Sequence, residues 1–101
     1  MTVELLYFDG CPNHERLLPR LRQLLAELAP EAKLVLRRVE TMEQAESENF
    51  LGSPTVRVDG VDVDPQTPHR RDYGLECRLY RTSDGISPLP SEAWIRQALA
   101  R

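Results

Sequence analysis

Cysteine is scarce: only Cys11 and Cys77 occur in 101 residues. Secreted scaffolds of this size are stapled by far denser cysteine, so that class is excluded, while one reversible bridge or two functional thiols stay open. Surplus positive charge is also missing, since 13 Lys and Arg against 16 Asp and Glu give a formal net charge of -3. A phosphate-binding surface needs a basic stripe, so no nucleic-acid partner is expected. No apolar run approaches the roughly 20 residues of a membrane helix, and no membrane association is expected. Residues 1–8 lack the basic start and long apolar run of a signal peptide, and no glycine-rich phosphate loop follows a strand at the required spacing. A soluble cytoplasmic protein is the expectation.

What is present suffices for one small domain over residues 1–101. A chain of this length buries roughly 60 to 65% of its unfolded surface, and a composition that is 41% apolar can fill that core without staples.

Val3 to Phe8 reads as a buried strand ended by Asp9-Gly10. From Pro12 to Ala29, Leu17, Leu18, Leu21, Leu24, Leu25 and Leu28 recur at helical spacing, with Pro19 inside the pattern. Lys33 to Val39 reads as a second strand, and its long connection allows parallel pairing with the first. A short helix is expected over Thr41 to Phe50, then a strand over Thr55 to Val58 closed by the turn pair Asp59-Gly60. Residues 61–74 read as a long surface loop, with Asp62 and Asp64 as solvated acids. Leu75 to Arg81 reads as the last strand, with Leu75, Cys77 and Leu79 on its core face. A final helix begins at Ser91 and presents Trp94, Ile95, Ala98 and Leu99 on one side. The order β-α-β-α-β-β-α predicts an α/β fold, with helices over a four-stranded mixed sheet.

Chemistry concentrates at Cys11, where the first strand gives way to the first helix. Unpaired amides and the positive helix end stabilise thiolate over thiol there, which would make Cys11 nucleophilic; a small buried hydrophobe is the plainer alternative. His14, three residues on, shares the first helical turn and could favour the thiolate or act as a base. One Cys-x-x-His pair is half of a zinc site, and His69 and Cys77 could complete it only by folding together. Ser53-Pro54-Thr55 precedes a strand. A cis Ser53–Pro54 bond there would present the Ser53 backbone to an extended peptide or thiol ligand, against a base expectation of about 5% for any X-Pro bond.

Asp9-Gly10-Cys11-Pro12-Asn13-His14 after a strand, a Leu-rich helix containing Pro19, and Ser53-Pro54-Thr55 before a strand together resemble the thioredoxin-like superfamily. Gly52 to Gly60 and Tyr73 to Arg81 also resemble small bacterial thioredoxin-like proteins, here with a Cys-x-x-His variant of the active motif. The resemblance implies a thioredoxin-like fold with helices on both faces of the sheet. It places Cys11 at the attacking, solvent-facing cysteine, His14 at the second, resolving cysteine, and Pro54 at the cis-proline. Pro12, Asn13, Ser53, Pro54 and Thr55 would then form the substrate-binding surface, with no cofactor. Histidine cannot resolve a mixed disulfide, so the expected activity is monothiol exchange or thiol-dependent binding through Cys11. The expected partner is a small thiol such as glutathione, or a protein thiol. Cys77 is a candidate secondary thiol, although a last strand would start away from the Cys11 end of the sheet and favour core packing. Two alternatives accompany this reading: soft-metal binding (mercury, copper or zinc) through Cys11 and His14, and a noncatalytic interaction domain.

Overall fold

The computed structural model describes residues 1–101 as an α/β fold. Strands β1 (Thr2–Tyr7) and β2 (Lys33–Arg38) flank helix α1 (Asn13–Leu28), and helix α2 (Met42–Ser47) leads to β3 (Thr55–Val58) and β4 (Val61–Asp62). A single 3-10 turn, Thr67–His69, follows; then come strands β5 (Tyr80–Thr82) and β6 (Gly85–Ser87), and helix α3 (Glu92–Leu99).

The main sheet has the order β2-β1-β3-β4. β1 runs parallel to β2, from Thr2 opposite Lys33 to Tyr7 opposite Arg38, and antiparallel to β3, from Val3 opposite Val58 to Leu6 opposite Thr55. Alternation along β1 sends its apolar side chains to both sheet faces. Val3 and Leu5 join Val56 and Val58 beneath Leu17, Leu21 and Leu24 of α1 and Ile95 and Leu99 of α3. Leu6 faces the other way, into a smaller cluster with Val39, Ala45 of α2 and Phe50. Helices therefore cover both faces. α1 continues through Pro19, which lies on its exposed side. Thr41 caps α2 by accepting from the Gln44 amide at 3.1 Å, and Ser91 caps α3 by accepting from the Ala93 amide at 3.2 Å. No helix is long and apolar enough to cross a membrane.

Two expectations for the second half of the chain are corrected. The fourth strand of the sheet is Val61–Asp62 and not Leu75 to Arg81. Asp59 and Gly60 adopt φ values of 50° and 84°, the left-handed pair that a two-residue hairpin turn demands, so β4 follows β3 directly. A long loop between paired strands was never required. The side chains from Cys77 to Tyr80 are also inverted: Arg78 and Tyr80 are buried, whereas Cys77 is exposed and Leu79 is 60% exposed. Cys77 bridges to Ser53, while Tyr80 and Arg81 belong to β5, which pairs with β6 as a separate hairpin.

Candidate functional site

Cys11 and Cys77 form a disulfide across 66 residues, with their Cα atoms 5.6 Å apart. The placement of Cys77 away from the Cys11 end, inside the core, is thereby overturned. Its position follows from the pairing of its neighbours with Ser53. The Ser53 amide donates to the Glu76 carbonyl at 2.8 Å, and the Arg78 amide donates to the Ser53 carbonyl at 2.9 Å. Both polar groups of the Ser53 backbone are consumed by residues flanking Cys77, which sets its sulfur against Cys11. The approach is close: a Cβ on Gly52, whose φ is 125°, would stand 2.9 Å from the Glu76 carbonyl oxygen and 3.0 Å from the Arg78 Cβ. Glycine is required there on both steric and conformational grounds.

The two sulfurs live in different surroundings. Cys11 is fully buried, two residues before the first residue of the 16-residue α1, and its sulfur lies 3.7 Å from the Ser53 carbonyl oxygen. A solvent-facing Cys11 is thus corrected for this disulfide-bonded state. Cys77 lies on the outside of the molecule. The positive end of α1 begins two residues after Cys11, and a helix N-terminus favours negative charge nearby.

His14 is half-buried and stacked on Tyr7, with ring centroids 4.0 Å apart. Its Nδ1 lies 3.1 Å from the Cys11 carbonyl oxygen. A carbonyl only accepts, so Nδ1 carries the proton and donates, leaving Nε2 as the free acceptor of the neutral ring. The imidazole braces the Cys11 backbone through this bond. Pro12 is exposed and Asn13 half-buried beside it, whereas Ser53, Pro54 and Thr55 are all buried. The Ser53–Pro54 bond is cis. The expected docking surface is therefore covered by the chain's own Glu76-Cys77-Arg78, and the Ser53 hydroxyl is buried with no hydrogen-bond partner.

Behind Cys77 lies a cluster that sequence reasoning missed. Arg78, 1% exposed, donates from Nη1 to Asp62 Oδ2 at 2.7 Å and Thr55 Oγ1 at 3.0 Å, and from Nη2 to Asp64 Oδ2 and Thr67 Oγ1, both at 3.3 Å. Its guanidinium also lies over the Tyr80 ring, 4.4 Å from the centroid. Asp62 and Asp64 are thus buried ion-pair partners, not solvated acids. Burial opposes the charge on Arg78, but Tyr80, Asp62 and Asp64 more than offset it and its pKa is raised. Burial drives the Tyr80 phenol well above its ordinary value near 10, against the opposing pull of Arg78, and its hydroxyl donates to the Pro54 carbonyl. One sequence signal was available: an arginine and a tyrosine two apart in an alternating segment, downstream of two aspartates also two apart. Nearby, hydrogen bonds from Arg70 hold Asp72 below the usual carboxylate range.

No group of three or more His, Cys, Asp or Glu side chains is gathered to hold a metal ion, and His69 does not join Cys11 and His14. A groove of about 580 Å³ is lined by β4, Pro65, Pro68 and the Trp94 side of α3, and includes neither cysteine. Comparison with family models, curated proteins and solved structures finds no match to this chain.

Proposed function

We propose that this chain is a thioredoxin-like thiol–disulfide exchange protein in which Cys11 and Cys77 are the exchanging pair. The observation that carries the reading is the Cys11–Cys77 disulfide, which joins a buried residue just before α1 to an exposed residue held beside Ser53. The β2-β1-β3-β4 order, with one parallel and two antiparallel neighbours, supports it, as does Ser53-Pro54 lying against Cys11. Cys77 supplies the second thiol that His14 cannot, so the monothiol scheme becomes a two-thiol cycle. The oxidised pair takes two electrons from two small thiols, giving Cys11 and Cys77 thiols and one small-molecule disulfide. The reverse passes those electrons to a substrate disulfide. His14 and the first turn of α1 hold the Cys11 backbone during that cycle.

Turnover of a small organic disulfide with glutathione as reductant tests the reading. The parent protein is expected to exceed both Cys11→Ser and Cys77→Ser by at least about tenfold in rate. A parent rate equal to that of the double serine variant would reject thiol exchange as the function.

A further inference from the structure

We propose that Cys77, and not Cys11, is the sulfur at which an external small thiol enters, so that the covalent adduct of the cycle is carried on Cys77. The inference rests on the reading of Cys11 and Cys77 as an exchanging pair and adds a direction to it. It also inverts the roles that the family resemblance implies, where the cysteine at the start of the first helix meets the external partner.

Three observations converge on this polarity. A thiolate attacks a disulfide end-on, along the line of the two sulfurs and opposite the one that leaves. Attack on Cys11 would have to come from its own side of the bond, where the residue is fully buried, whereas Cys77 is exposed. The departing sulfur is favoured when its thiolate is stabilised, and Cys11 stands two residues before the 16-residue α1, at the helix's positive end. Cys77 is also retained after the bond opens. Arg78, next in sequence, stays tied to Asp62, Asp64, Thr55 and Thr67, and its amide stays bonded to Ser53. An adduct on Cys77 therefore remains within reach of Cys11.

The bonds and charges balance. A small thiolate forms a bond to the Cys77 sulfur as the Cys11–Cys77 bond breaks, and the electron pair departs on Cys11 as thiolate. A second small thiolate then attacks the sulfur of the bound small molecule, releasing a symmetric disulfide and Cys77 thiolate, which takes a proton from water. In the oxidising direction the Cys11 thiolate attacks the Cys77 sulfur of the adduct and expels the small thiolate. Cys11 is thus the resolving residue and Cys77 the acceptor.

Trapping decides the matter in the parent protein. Oxidised chain is mixed with glutathione in the presence of iodoacetamide, quenched with acid, digested without reductant and mapped by mass spectrometry. The expected product carries glutathione on Cys77 and the alkyl group on Cys11, in at least about tenfold excess over the reverse arrangement. A second arm incubates reduced Cys11→Ser with oxidised glutathione, where the Cys77 adduct should accumulate and persist because its resolving thiolate is gone. Glutathione chiefly on Cys11, or an equal split, would overturn the proposed polarity while leaving thiol exchange intact. Absence of any adduct, with Cys11–Cys77 unreduced, would overturn the exchange reading and this inference with it.

Discussion

The aliphatic core beneath α1 and α3 and the Arg78 side-chain cluster within the segment from Asp62 to Tyr80 are both buried, but by opposite chemistry. Leu5, Leu21, Leu24 and Val56 are enclosed by other aliphatic side chains, so their contribution comes from apolar burial and is indifferent to proton and electron supply. Arg78 is enclosed with Asp62 and Asp64 as its ion-pair partners and the Tyr80 ring beneath its guanidinium, the Tyr80 hydroxyl donates to the Pro54 carbonyl, and the adjoining Cys77 is fastened by a disulfide bond. A segment held this way is expected to respond to thiols that leave the aliphatic core alone, and on the proposed reading the difference separates a scaffold from a redox-addressable attachment.

The sharpest way to break that contrast is to remove the charge that organises the attachment. Arg78→Ala leaves two buried carboxylates without their cation and should cost about 3 to 5 kcal/mol, at the upper end of the roughly 2 to 5 kcal/mol expected for Leu21→Ala. Urea unfolding of the two oxidised variants checks the size.

A smaller effect is expected where the two regions touch. Gly52→Ala demands a non-glycine residue at φ 125° and drives a methyl group into the Glu76 carbonyl and the Arg78 backbone. The expected cost is about 1 to 3 kcal/mol, with a larger share of Cys77 found as free thiol at equilibrium with glutathione. Thiol titration across a series of glutathione ratios measures that share.

The mildest contrast, invisible at neutral pH, comes from Tyr80. Its folded-state pKa lies above the unfolded value near 10, so the protonated phenol supports the fold fully below pH 10. That support is lost as the pH rises beyond it, because the unfolded chain then releases a proton that the folded chain retains. Stability of the parent should fall above pH 10 more steeply than that of Tyr80→Phe, as followed by urea unfolding at each pH.

The same contrast explains what could be read from the residues. Leucine spacing gave α1, alternation and β-branching gave β3, and Thr41 and Ser91 marked helix starts, because in each case the local pattern and the apolar core ask for the same thing. Cys11 at a strand-to-helix junction and Ser53-Pro54 before a strand were legible for the same local reason. Between Val61 and Tyr80 the local and global demands disagree. Leu79 is exposed and Arg78 buried, so a hydrophobic alternation rule selects the wrong face. The burial of Arg78 depends on Asp62, Asp64 and Thr67, whose positions are fixed by the tight turn at Asp59-Gly60 and not by any periodicity. The contact of Cys77 with Cys11 follows from that inversion, since turning Arg78 inward and pairing its amide with Ser53 carries the preceding sulfur to the start of α1.

Hydrogen exchange at single amides, read by NMR in oxidised and in thiol-reduced protein, tests most directly whether Glu76-Cys77, ahead of the anchored Arg78, is a redox-addressable attachment on a redox-indifferent scaffold. Reduction is predicted to speed exchange of the Ser53 amide, which is bonded to Glu76, by at least about tenfold, while Leu5 and Val56 in the sheet keep their protection. Equal protection of Ser53 in the two states, or loss of protection across Leu5 and Val56 together with Ser53, would contradict it.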